Sequence, residues 1–413
     1  INVRSFGERP HQVAELGTAQ LRAMQAEGVL GTLKHFPGHG DTHVDSHTGL
    51  PRVAHRLEQI EQVDLLPFQY AIDSGDAKVI MTAHIQYPHL DDSTFVSKSG
   101  KAMLKPATMS KHILTGLLRE KMGFDGLIIT DALDMAGISD FMSETQAVVE
   151  TFNAGADIAL MPIKIRSKQD LVKFGNLLGQ LEMSVISGQL DRAQIEASFI
   201  RILRTKRGPQ FRDVFSDSLE EKLVQARNTL ASLKHKQVQQ SLSDDSITLL
   251  KGAGQLNRDV NRLHLIMPDE NKCSALTEAL SRYRADMNIT CGPGYETSVE
   301  QQKKLIKEAD AVLFANITPK QSAVEMGGME DLDKYRVLRR NKRAFDQNLL
   351  QLVKYSQQLN RQTIFVSLRT PYELQTYAKY CSDVIATYSY NHYMKRDESG
   401  LINQEGPAYA SLA

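Results

Sequence analysis

Residues 33–51, LKHFPGHGDTHVDSHTGLP, concentrate imidazoles and carboxylates: His35, His39, His43 and His47 recur every four residues, with Asp41 and Asp45 between them. Two kinds of chemistry could follow. Histidines four apart on a helix share a face and can hold a metal ion. Here Pro37, Gly38 and Gly40 interrupt any helix through the first three, so the spacing loses its coordination geometry. No His-Glu-x-x-His or Cys/His zinc pattern accompanies it, and no metal site is expected. The second chemistry is acid–base. Asp45 and His47 can pair so that the carboxylate orients the ring and favours its protonated form, leaving the far nitrogen to exchange a proton. A separate carboxylate, Asp131, closes the apolar run GLIITD. A charge there needs hydrogen-bond donors or cationic neighbours. Helix capping for Asp131 and a solvated loop for His47 are the competing readings of these residues taken alone.

These side chains need elements to hold them. The first half alternates short apolar runs with amphipathic ones. Strands are predicted at 29–35, 77–84, 124–133 and 156–162, with helices over 55–73, from Pro106 to 123, 143–155, 168–187 and 191–206. The opening INVR reads as the end of a further strand. Apolar strands separated by helices argue parallel α/β architecture, a barrel or a doubly wound sheet. His35, His84, Asp131 and the LMP turn at 160–162 all fall where strands end, the edge that carries function in such folds. Five strands are too few for a closed eight-stranded barrel; about three more would lie upstream. A charged, partly helical stretch follows, then a second α/β pattern. Its strands are predicted at 262–268, 285–290, 309–317, 362–368 and 382–390, with helices near 273–283, 297–307 and 342–358. GAG at 252–254 and GPG at 292–294 read as turns.

The chain's 413 residues carry a formal charge of zero and are 41% hydrophobic. That composition suits two or three domains and gives no reason to expect nucleic acid or an anionic membrane as partner. No apolar run is long enough to span a bilayer. Cys273, Cys291 and Cys381 are too few and scattered for a disulfide scaffold, and they leave the compartment undecided. No Gly-rich turn follows the strand at 262–268, so a dinucleotide site has no support, and no cofactor is expected.

The segments LKHFPGHGDTHVDSHTGLP, PF at 67–68, TAHI at 82–85, LLREKMGFDGLIITDALDM at 117–135 and AGADIALMP at 154–162 resemble glycoside hydrolase family 3, in particular its β-N-acetylglucosaminidase (NagZ) branch. The resemblance runs from residue 1 to about 205, and DDSITLLKG resembles the start of the family's second domain. It implies the C-terminal part of a (β/α)8 TIM-type barrel over 1–207, a helical connector over 208–240 and an open α/β sandwich domain over 241–413. It also implies roles. Asp131 would be the catalytic nucleophile, and His47, assisted by Asp45, the general acid/base. Arg4, Lys34 and His35 would contact sugar, with His84 a further pocket residue. Lys34 would favour the ionised nucleophile. A substrate-binding Asp would come from earlier barrel strands outside the chain. His39 and Asp41 would then brace the turn and His43 would be exposed; from their own positions, Asp134 reads as a first-turn helix cap and Asp157, opening the AGADIALMP strand at the opposite end from the chemistry, as structural. The implied activity is bacterial, cofactor-free, retaining exo-hydrolysis of terminal β-linked GlcNAc from peptidoglycan fragments (muropeptides) or chitin oligomers. A β-glucosidase or β-xylosidase of the same family, a GlcNAc phosphorylase and a non-catalytic sugar-binding module are the alternatives. Cytoplasmic and periplasmic or secreted locations stay equally open.

Overall fold

The structure, a computed structural model, describes residues 5–42, 50–208, 217–230, 232–318, 332–389, 394–396 and 402–404. Arg4, His43, Asp45 and His47, and the opening INVR strand, lie outside the described residues. The chain is an α/β protein of two compact units, Ile1–Ser216 and Asp217–Ala413.

The strands of the first unit are β1 (Thr32–Phe36), β2 (Val79–Thr82), the hairpin β3 (Thr94–Val96) and β4 (Ala102–Leu104), and β5 (Leu127–Ile129). β1, β2 and β5 form a parallel sheet in that order. A parallel bridge from Ile129 to Ile158 adds a fourth segment. Ile80 and Ile128 are neighbours in the β2–β5 register and both are fully buried, as expected of parallel strands covered by crossover helices. Those helices bury Phe68 and Ala71 from the 57–73 stretch, and Ile113, Leu114 and Leu118 from His112–Lys121, in one core with the strands. The next helix, Glu144–Ala154, is N-capped by the Ser143 hydroxyl and ends at Gly155, whose φ of 110° suits a residue without a Cβ.

The structure corrects two expectations here. The helix expected from Pro106 begins only at His112. Ala107–Met109 is a separate 3-10 turn, Ser110 is extended, and its hydroxyl accepts the Ile113 N–H at 3.1 Å. A capping hydroxyl, rather than Pro106, sets this helix start. The β3–β4 hairpin was not anticipated, because three-residue strands leave too short an alternation to read.

The second unit carries a six-stranded sheet from β6 (Thr248–Lys251), β7 (Arg262–Met267), β8 (Asn288–Pro293), β9 (Ala311–Asn316), β10 (Gln362–Ser367) and β11 (Asp383–Ala386), in the order β6-β11-β10-β9-β7-β8. All neighbours are parallel except β6, which runs antiparallel to β11 at one edge. β9 is buried along its whole length. Apolar side chains pack on both faces: Leu263, Leu265 and Leu313 in one core, Ile266, Phe314 and Phe365 in the other. Gly292 and Pro293 fall inside β8, not in the turn expected there, whereas Gly252 and Gly254 do turn the chain, with their φ of 90° and 66°. Cys273, on the helix Glu270–Tyr283, is disulfide-bonded to Cys291 of β8, a pairing that composition alone did not give. Cys381 is a buried free thiol, its pKa pushed up to about 12 by burial. No helix among the described residues is long and apolar enough to cross a membrane.

Candidate active site

Asp131 and His35 meet at the carboxyl edge of the parallel sheet. His35 is the penultimate residue of β1, and the β1–β2 ladder shifts register between Lys34 and Phe36. Such an irregularity re-aims a side chain at a strand end. Asp131 follows β5 by two residues. His35 Nε2 stands 3.6 Å from Asp131 Oδ2, with side-chain exposures of 8% and 17%. That separation exceeds a hydrogen bond, and the pair attracts electrostatically when the imidazole is protonated. Asp131 Oδ1 accepts the Ala132 N–H at 2.8 Å. Among the described residues, His35 is the ion-pair partner of Asp131, while Lys34 is exposed.

The Asp131 turn is tied to the next strand segment. Thr130 N–H donates to the Ile158 carbonyl (3.0 Å), Leu160 N–H to the Thr130 hydroxyl (2.9 Å), and Leu133 N–H to the Leu160 carbonyl (2.9 Å). His84, just past β2, is enclosed beneath it at 1% exposure. Its Nε2 lies 2.9 Å from the Ala132 carbonyl and its Nδ1 2.9 Å from the Thr108 hydroxyl.

The His-rich stretch is fixed where it leaves β1. Tyr87 Oη donates to the Gly38 carbonyl at 2.6 Å. A Cβ on Gly38 would stand only 3.0 Å from the Asp64 Cβ and 3.1 Å from the Tyr87 hydroxyl, so a side chain there would have to push these neighbours aside, and the φ of 158° adds strain. His39 Nδ1 bonds the Thr42 hydroxyl at 2.8 Å, and the Asp41 carboxylate holds His55 Nε2 at 2.8 Å. His39 and Asp41 therefore brace the turn. On its other side His55 Nδ1 bonds Asp64 Oδ2 at 2.8 Å. Burial opposes the His55 cation, yet the hydrogen bonds of Asp64 and Asp41 outweigh it and raise its pKa above the ordinary value. Burial also raises Asp64, against the pull of His55. Sequence reading missed His55 and Thr108, since their partners lie nine or more residues away at no regular spacing.

Two other carboxylates are settled by their partners. Asp134 does not cap: the helix Ala136–Ser139 has Met135 at its N-cap and no side-chain cap bond, and Asp134 instead faces Lys164 Nζ at 3.4 Å. Asp157 is fully enclosed. It accepts from Arg119 (2.6 Å), Arg201 (2.8 Å), the Ser198 hydroxyl (2.8 Å) and the Ile128 N–H (2.8 Å), a structural tie at the opposite end of the strands.

Residues 1–205 match the family described as Glycosyl hydrolase family 3 N terminal domain. Over its whole length the chain is 44% identical to beta-hexosaminidase A of Pseudoalteromonas piscicida, spanning 68% of that protein. The chain belongs to glycoside hydrolase family 3. A beta-hexosaminidase of Tolumonas auensis is 38% identical over 160 residues, which are 39% of this chain and 44% of that one. Among solved family 3 structures, a beta-N-acetylglucosaminidase from Paenibacillus sp. str. FPU-7 superposes with a TM-score of 0.70 at 25% identity, covering 99% of this chain and 69% of its own. The beta-glucoside phosphorylase BglX shares the fold, with a TM-score of 0.68 at 22% identity, covering 94% of this chain and 66% of its own.

Proposed function

We propose that this family 3 chain carries the reaction machinery of a retaining exo-β-N-acetylglucosaminidase acting on terminal β-linked GlcNAc, in peptidoglycan fragments or chitin oligomers. The 44% identity to a beta-hexosaminidase along the full chain carries the reading. The pairing of Asp131 with His35 at the sheet's carboxyl edge supports it.

Asp131 acts as nucleophile. Its carboxylate attacks the anomeric carbon as the bond to the leaving oxygen breaks, and His47 delivers a proton to that oxygen. A covalent glycosyl-enzyme results. His47 then takes a proton from water, whose oxygen displaces the Asp131 carboxylate from the anomeric carbon. Asp45 favours the imidazolium in the first step and orients the ring in both. A histidine in the acid role departs from the two-carboxylate arrangement of most retaining enzymes. Arg4, Lys34 and His35 contact sugar hydroxyls. The sequential parallel order of β1, β2 and β5, with the bridge to Ile158, supports the first unit as the C-terminal part of a (β/α)8 barrel. The Cys273–Cys291 bridge supports an oxidising, extracytoplasmic compartment.

Asp131→Asn in the full-length protein tests the nucleophile on aryl-GlcNAc and aryl-glucoside side by side. Wild type is expected to prefer the GlcNAc substrate, and the variant to lose roughly a thousandfold or more in kcat. Equal turnover by the variant removes Asp131 from the role, and preference for glucoside removes the sugar assignment. His47→Ala is expected to slow poorly activated leaving groups far more than p-nitrophenol; equal losses would remove His47 as the acid.

A further inference from the structure

We infer that His84 is a positioning residue for the nucleophile, acting through the Ala132 backbone and not by touching sugar; this rests on the assignment of Asp131 as nucleophile. The geometry is a continuous run of hydrogen bonds. A carbonyl can only accept, so His84 Nε2 carries a proton and donates it to Ala132 O at 2.9 Å. Residue 132 is the one whose own N–H holds Asp131 Oδ1 at 2.8 Å. Fixing its carbonyl from below fixes the rotation of the residue that aims the carboxylate. The far side of the ring is held in turn. With the proton on Nε2, Nδ1 accepts from the Thr108 hydroxyl at 2.9 Å, and the Thr108 oxygen in turn accepts from the Thr82 hydroxyl at 2.9 Å. Thr82 and Thr108 are both fully buried. The run Thr82–Thr108–His84–Ala132–Asp131 thus connects the end of β2 to the reacting group after β5, inside the scaffold.

Two features set this apart from a sugar contact and from plain core packing. At 1% exposure, with both ring nitrogens engaged on the scaffold, His84 has no face to offer a ligand. A buried imidazole is costly unless its polar atoms are satisfied by hydrogen bonds. Here they fix the Ala132 carbonyl. Carboxylate attack on an anomeric carbon tolerates little misalignment: a displacement of about 1 Å can cost about a hundredfold in rate.

The test uses the full-length protein with aryl-GlcNAc, reading single-turnover glycosylation, steady-state kcat and KM, and the inhibition constant of GlcNAc. His84→Gln keeps a donor near the Nε2 position; His84→Leu removes both bonds. His84→Leu is expected to slow glycosylation about 10- to 100-fold while KM and the GlcNAc inhibition constant stay within about threefold. His84→Gln is expected to recover most of that rate. A rise in KM and in the inhibition constant with glycosylation intact would make His84 a sugar contact and overturn the proposal. So would an unchanged glycosylation rate in a His84→Leu protein that melts like wild type, or failure of Gln to recover rate. If His84→Leu does not fold, Thr108→Val carries the test: a glycosylation loss of about threefold or more without change in the inhibition constant is expected, and no loss overturns the proposal. Asp131→Asn is run in parallel. If it stays active, the nucleophile assignment fails and takes the His84 proposal with it. If it is inactive while the His84 variants behave as wild type, only the proposal about His84 fails.

Discussion

Asp131 and Asp157 are the same residue type with different purposes, and their partners decide the difference. Asp157 is wholly enclosed between Arg119 and Arg201, with Ser198 and the Ile128 N–H completing its shell. Every lone pair there is spent on the scaffold. Among the described residues, Asp131 has one backbone donor and an imidazole at 3.6 Å, and it keeps some exposure. The enclosed carboxylate of Asp157 locks structure, and the partly exposed one of Asp131 at the sheet's carboxyl edge fits the nucleophile role proposed for it. Asp157→Ala leaves two guanidinium groups facing a vacated site and is expected to cost about 3–5 kcal/mol. Chemical denaturation should show that loss, while kcat below the melting range stays near wild type. Asp131→Asn should show the reverse, and a matching loss of stability in both would contradict this division of labour.

At the scale of elements, the His-rich stretch leaves β1 through a turn clamped by His55 between Asp41 and Asp64. The folded pKa of His55 is raised above 6.5. Its stabilisation is therefore fully present below that unfolded value and is lost as pH rises through the folded one. Asp64, raised by burial, loses stability in the same direction, in the window just above its ordinary 3.8. The expected outcome is that wild type exceeds His55→Gln in melting temperature by more at about pH 5.5 than at about pH 8.5. A difference that is flat across that range would remove the charged clamp. The same contrast shows what could be read from sequence. Strand ends at His35, His84 and Asp131 were legible, because apolar runs long enough to be buried stop abruptly at polar residues. The clamp at His55, the hydroxyl of Thr108 and the start of the 112–121 helix were not. Each depends on a partner brought near by folding, or on one capping hydroxyl overriding a proline.

For the whole molecule, the consequential feature is that each unit has cores of its own, with Phe36, Ile80 and Ile128 in the first and Leu265, Phe314 and Phe365 in the second. Asp131 and His35 lie in the first unit, and the disulfide lies in the second. The bridge closes a loop with a sequence separation of 18 and ties the helix Glu270–Tyr283 to β8. Restricting the unfolded chain over a loop of that size stabilises by about 3 kcal/mol. Calorimetry of the full-length protein is expected to resolve two transitions. GlcNAc should raise the one belonging to the unit that binds sugar, because a ligand stabilises only the fold that holds it. Cys273→Ala with Cys291→Ala, or reductant applied to wild type, should lower the other transition and leave the sugar-responsive one in place. One transition shifting as a whole under both treatments would show the units to be a single cooperative body. Neither treatment moving the second transition would show that the bridge adds nothing to the fold it joins.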